Sequence, residues 1–142
     1  MKISLILATK GARVVTIRPE QLVREVVSLF VHYNIGAVVV VDATGAVVGI
    51  ISERDVVRAL PQVPDLLTQP VSAVMTRTVI VASPQDDLVS VMRTMTEKRF
   101  RHLPILDGGK LAGLISIGDI IKTQLDESQG EVETLETQIF EG

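Results

Sequence analysis

Two stretches of this chain hold the residue types a small polar ligand needs. Residues 49–60 read GIISERDVVRAL and residues 113–124 read GLISIGDIIKTQ, so Gly49, Ser52 and Asp55 return in register as Gly113, Ser116 and Asp119. Ser-x-x-Asp ahead of an apolar run is close to a capping box, in which Ser caps the helix and the acidic residue three positions on reaches back. Its carboxylate also suits the helix dipole. The same atoms could serve a ligand. A helix N-terminus offers free N–H groups to an anion, a Ser hydroxyl can bind phosphate, and an Asp one turn in can accept from the vicinal diol of a ribose. Gly49 and Gly113 sit inside apolar strands, where Gly marks a bulge or a close approach. For one copy, capping is the default reading. Two copies in register, each on a strand-to-helix turn facing a shared seam, favour a paired ribose-phosphate site.

A second cluster is Lys98-Arg99-Phe100-Arg101-His102 in an acidic protein. Cations at the end of a helix are an ordinary solvated feature. If Arg101 and His102 face a cleft, they can hold phosphate, Arg by its planar fork. The copies differ here. Gly36-Ala37 stands where the second copy has Arg101-His102, and Arg54 stands where it has Gly118. Two clefts built from these copies would be unequal. His32 is read as an exposed helix residue. Asp107-Gly-Gly-Lys110 lacks the spacing of a phosphate loop and reads as a hairpin turn. No nucleophile–base pair can be placed, so an enzyme is disfavoured.

Composition narrows the classes. The chain has 142 residues, 46% apolar and 22% charged, as expected of a soluble globular protein. Aromatics at 3% leave little for base stacking, and a net charge of −3 argues against nucleic acid. With no Cys and two His, neither a disulfide framework nor a metal site is expected. The apolar stretch Ile3–Ala8 is too short for a signal peptide core, and no run reaches the ~18 residues of a membrane span. A cytoplasmic location is expected.

The repeat runs well beyond the opening phrase. Pro19, Val23, Val26, Phe30 and Asp42 align with Pro84, Leu88, Val91, Met95 and Asp107. Each copy reads as strand, helix, strand, hairpin, strand, helix. The expected strands are Val14–Ile17, Ala37–Val41 and Ala46–Ile51, then Val79–Val81, Leu103–Leu106 and Leu111–Ile115. Ser83 and Pro84 predict a helix start at N-cap and N1. The last helices begin near Glu53 and Ile117. The expected organisation is a lead-in over 1–13, repeat one over 14–60, a proline-rich linker over 61–70, repeat two over 71–125 and a tail over 126–142. Ile3–Leu7 and Val71–Met75 read as short lead-in helices for copies one and two. In the tail, Val132, Leu135 and Ile139 form an amphipathic stripe.

About fifty residues bury too little apolar area to stand alone, and the strand runs are apolar on both faces. The expected fold is therefore α/β (α+β): two pseudo-twofold-related β-α-β-β-α repeats packed sheet to sheet, with a short C-terminal helix.

These residues resemble a pair of CBS domains, the module named after cystathionine β-synthase, over Val14–Leu60 and Val71–Leu125. GIISERDVV, GLISIGDII and RHLPILD carry the likeness, and the chain also resembles stand-alone bacterial pairs. The resemblance implies a regulatory module binding an adenosine ligand between the repeats: AMP, ADP, ATP or NAD, with S-adenosylmethionine ranked behind them. It places Asp55 and Asp119 on ribose, Ser52 and Ser116 near phosphates, and Arg101 and His102 on phosphate. It places the strand starts Ile35–Ala37 (with Gly36) and Val79–Val81 against adenine. Arg54 is added on charge alone, with Gly118 as its counterpart. A homodimer is the expected assembly, together with a regulated protein yet to be identified; the alternative is a dimerising scaffold that binds no ligand.

Overall fold

The structure, a computed structural model, describes residues 1–11 and 14–128. The elements are α1 (Ile3–Lys10), β1 (Thr16–Ile17), α2 (Val23–Tyr33), β2 (Ala37–Val41), β3 (Val47–Ser52) and α3 (Glu53–Ala59). Two 3₁₀ turns follow, at Leu66–Thr68 and Val71–Ala73. Then come α4 (Leu88–Lys98), β4 (His102–Asp107), β5 (Lys110–Ser116) and α5, over residues 117–128. The stripe expected in the tail lies outside the described residues.

In repeat one, β2 lies between β1, which is parallel to it, and β3, which is antiparallel. Val38, Val39 and Val40 are all fully buried, so β2 is covered on both faces, as its unbroken apolar run requires. In repeat two, β4 and β5 form the matching hairpin. The strand expected at Val79–Val81 is absent. Only Ala82 bridges to Ile105, donating to the Pro104 carbonyl and accepting from Leu106 N–H. Two residues earlier the ladder would need an N–H from Pro104, which has none. Pro104 therefore leaves 77–81 irregular.

Both hairpins carry a β-bulge at the same place. Val40 pairs with Gly49 and Val41 with Val47, leaving Val48 over. Ile105 pairs with Gly113 and Leu106 with Leu111, leaving Ala112 over. A Cβ at Gly49 would lie 2.6 Å from Met75 Sδ, and one at Gly113 would collide with Leu7. The strand glycines thus admit a packed side chain.

Leu7 and Met75 belong to lead-in segments that are exchanged between the repeats. Ile3 and Ile6 sit in one core with Leu88, Met95, Ile105 and Ile115 of repeat two. Leu66, Val71 and Met75 sit in the other with Val23, Val26 and Phe30 of repeat one. The expectation that each lead-in serves the repeat it precedes is corrected. Backbone pairing repeats the exchange: Ile3 N–H donates to Asp86 O and Ser4 N–H to Pro84 O, while Val71 N–H donates to Gln21 O and Ser72 N–H to Pro19 O. These equivalent bonds express the pseudo-twofold relation. They also explain why α4 starts later than Ser83-Pro84 suggested. Residues 84–88 are used in pairing with 1–4, and Asp87 becomes the N-cap, accepting from Ser90 N–H at 3.0 Å.

Candidate functional site

Repeat one turns from β3 into α3 at Ser52. Ser52 Oγ accepts from Asp55 N–H at 3.3 Å, and Asp55 Oδ2 accepts from Ser52 N–H at 2.9 Å. Repeat two makes the same turn: Asp119 N–H donates to Ser116 Oγ at 3.1 Å and Ser116 N–H to Asp119 Oδ2 at 2.8 Å. The capping box exists in both copies. It fixes each carboxylate at a helix N-terminus without using all of its lone pairs.

The surroundings of the two carboxylates differ. Asp55 Oδ1 accepts from the Thr76 hydroxyl at 3.2 Å, and Thr76 is held by paired backbone bonds with Ile50. Asp119 Oδ2 instead accepts from Lys10 Nζ at 2.7 Å, in an ion pair. Lys10 Nζ also donates to Leu114 O at 2.7 Å. Burial opposes ionisation of Asp119, but the bonds from Lys10 and Ser116 outweigh it and hold the carboxyl below the usual carboxylate range.

Asp55 opens onto a cleft of about 380 Å³, within the range of small-molecule sites. One wall is the start of α3, with Ser52, Glu53, Arg54, Asp55 and Arg58. A second is the irregular stretch Thr76, Thr78, Val79 and Ile80. The third comes from repeat two, at Arg99, Phe100, Arg101 and His102, with Gly36 beside it. Four arginines and two acidic residues line this cleft in a chain of net charge −3. His102 is held below its ordinary pKa, chiefly by burial and then by the Lys10 ammonium, with Asp119 opposing. It is therefore neutral near pH 7 and can donate or accept one hydrogen bond through each ring nitrogen.

Of the residues singled out in the sequence, the cleft gathers Ser52, Arg54, Asp55, Gly36, Val79, Arg101 and His102. The others lie elsewhere. Ile35 packs partly on the core of repeat one, and Ala37 is buried within β2. Val81 lines a neighbouring groove beside α4. Ser116, Gly118 and Asp119 stand at the corresponding turn of repeat two, with Lys10. Thr76, Thr78 and Arg58 were missed; Ile80 fell within the expected Val79–Val81 stretch, and Arg99 within the basic cluster but without a role of its own. Arg58 had a signal, since it follows Arg54 by one helical turn. The threonines had none, because the segment that follows Met75 meets repeat one only in three dimensions. The sequence differences between the copies now have a direction. Arg54 and the Arg101-His102 pair, from different repeats, meet in the same cleft.

The mixed α+β architecture and its two cap-borne carboxylates define a tandem-repeat module. The CBS domain profile matches residues 7–62 and again 71–126, and the chain belongs to the CBS-domain family. A CBS-domain protein of Agrobacterium tumefaciens has a crystal structure that is 40% identical, with a TM-score of 0.82, covering 87% of this chain and 92% of that one. A 33.4 kDa protein of Thermofilum pendens is 43% identical over 98 residues, 69% of this chain, but the match spans only 32% of that relative. The CBS domain pair of protein MJ0100, in complex with 5′-methylthioadenosine and S-adenosyl-L-methionine, has the same fold, with 24% identity, a TM-score of 0.79 and coverage of 89% of this chain and 98% of that one. Among the described residues no helix is long and apolar enough to cross a membrane.

Proposed function

We propose that the chain is a regulatory module that senses an adenine nucleotide, AMP, ADP, ATP or NAD, in the Asp55 cleft. The observation that carries this reading is the meeting of a cap-borne carboxylate with four arginine residues in one cavity of suitable size. Asp55 accepts from the ribose diol. Ser52, Arg54 and Arg101 hold phosphate, with neutral His102 donating a hydrogen bond. Val79 and the backbone beside Gly36 face the adenine. Ser116, Gly118 and Asp119 occupy the equivalent turn in repeat two, where the carboxylate is already paired with Lys10; Ile35 and Ala37 flank Gly36 along the chain, and Val81 faces the neighbouring groove. The adenosine compounds bound to MJ0100 support the class of ligand.

The role is binding rather than catalysis, in the cytoplasm, with the output passed to a regulated protein. A homodimer is part of the same reading. Val57 on α3 and Leu60 just after it are 64% and 59% exposed, and Ile121 and Leu125 on α5 are 46% and 57% exposed. A second copy is the occupant proposed for these apolar side chains. A thermal-shift panel of AMP, ADP, ATP, NAD, S-adenosylmethionine and GTP tests the ligand class. A ligand at 100 times its Kd adds about 2.7 kcal/mol, which raises Tm by several degrees. No shift with any adenine compound at millimolar concentration refutes the reading and leaves the dimerising scaffold.

A further inference from the structure

The two carboxylates occupy equivalent turns but meet different chemistry. Asp55 faces the Thr76 hydroxyl, a neutral group that can rotate to accept or donate as a ligand requires. Asp119 faces the Lys10 ammonium at 2.7 Å, and that ammonium is tied a second time to Leu114 O. Lys10 ends α1, whose Ile3 and Ile6 are buried in the core of repeat two. The lysine is therefore delivered to Asp119 by a packed helix and not by a loose arm. It supplies Asp119 with the donor that a ribose diol would otherwise bring.

The cations follow the same asymmetry. Arg54 and Arg101 both line the Asp55 cleft, whereas the position equivalent to Arg54 is Gly118 and the pair equivalent to Arg101-His102 is Gly36-Ala37. A nucleotide at Asp119 would have to displace Lys10 and would find fewer groups for its phosphates.

We infer that Lys10 closes the second cleft, so that each chain binds one nucleotide, at Asp55, with Lys10 as the residue that sets this stoichiometry. The inference rests on the reading of the Asp55 cleft as a nucleotide site. Isothermal titration of the whole chain with ADP tests it. The wild type is expected to take one equivalent, weakened by Asp55→Asn and unchanged by Asp119→Asn, a substitution that keeps a capping acceptor. Lys10→Met retains the apolar stem and removes the charge; it should take a second equivalent, lost again in the Lys10→Met/Asp119→Asn double variant. Two equivalents in the wild type, or one in Lys10→Met, overturns the role of Lys10 while leaving the Asp55 site standing. No heat with any variant overturns that site and this inference together. A carboxyl NMR titration gives an independent readout: Asp119 should titrate at higher pH in Lys10→Met, and an unchanged titration contradicts the ion pair.

Discussion

Asp55 has an observed job and a proposed one, and the two can be measured separately. As the third residue of α3 it accepts from Ser52 N–H at 2.9 Å and completes the cap. As a wall of the cleft it is the carboxylate that the proposed function assigns to the ligand. Replacing it with Ala removes a capping contact worth about 1 kcal/mol, so Tm of the free protein should fall by roughly 3–6 °C. It also removes charge-assisted hydrogen bonds to ribose, worth about 1.5–3 kcal/mol, or about a ten- to hundredfold loss of affinity. Asp119→Ala removes the same kind of cap from repeat two and serves as the control. It should lower Tm by a similar amount and leave nucleotide affinity within about twofold, a change below 0.5 kcal/mol. The assays are a melting curve without ligand and a titration with ADP. If Asp55→Ala lowers Tm but leaves affinity unchanged, the carboxylate is a cap and nothing more.

Two further predictions concern the frame around the site. Ile3→Ala should cost about 2–5 kcal/mol, because Ile3 is fully buried; hydrogen exchange should quicken in repeat two amides near Leu88 and Ile105 more than in repeat one, and the opposite pattern would contradict the exchanged lead-ins. Burial above all holds the folded-state pKa of His102 below the ordinary histidine value, so the unfolded chain binds the extra proton and stability should fall as pH drops below about 6.5. Lys10 and Arg101 disfavour the imidazolium there, and Asp119 and Glu53 oppose them. His102→Gln should flatten the dependence in urea titrations between pH 7.5 and 5.5; an equal slope in both proteins contradicts the burial of a neutral imidazole.

Much of this was legible in the sequence because the information is local. The Ala37–Val41 run, the Asp42 and Asp107 turns and the two Ser-x-x-Asp caps each depend on residues a few positions apart. What escaped depends on contacts distant along the chain. The spacing of Ile3 and Ile6 announces burial but not which core receives them. Gly49 and Gly113 announce a close approach but not that Met75 and Leu7 make it. Lys10 carries no signal until α1 docks on repeat two and brings it to Asp119. Pro104 could have been read as a ladder breaker, since its missing N–H is a property of the residue itself; the Val79–Val81 strand was expected from apolar pattern alone.

The most direct test is an NMR titration of uniformly ¹⁵N-labelled chain with ADP. The account predicts saturable shifts confined to the amides of Glu53–Asp55, Thr76–Ile80 and Arg101–His102, the walls of the Asp55 cleft. Shifts centred instead on Ser116–Asp119, or none at millimolar ADP, would contradict it.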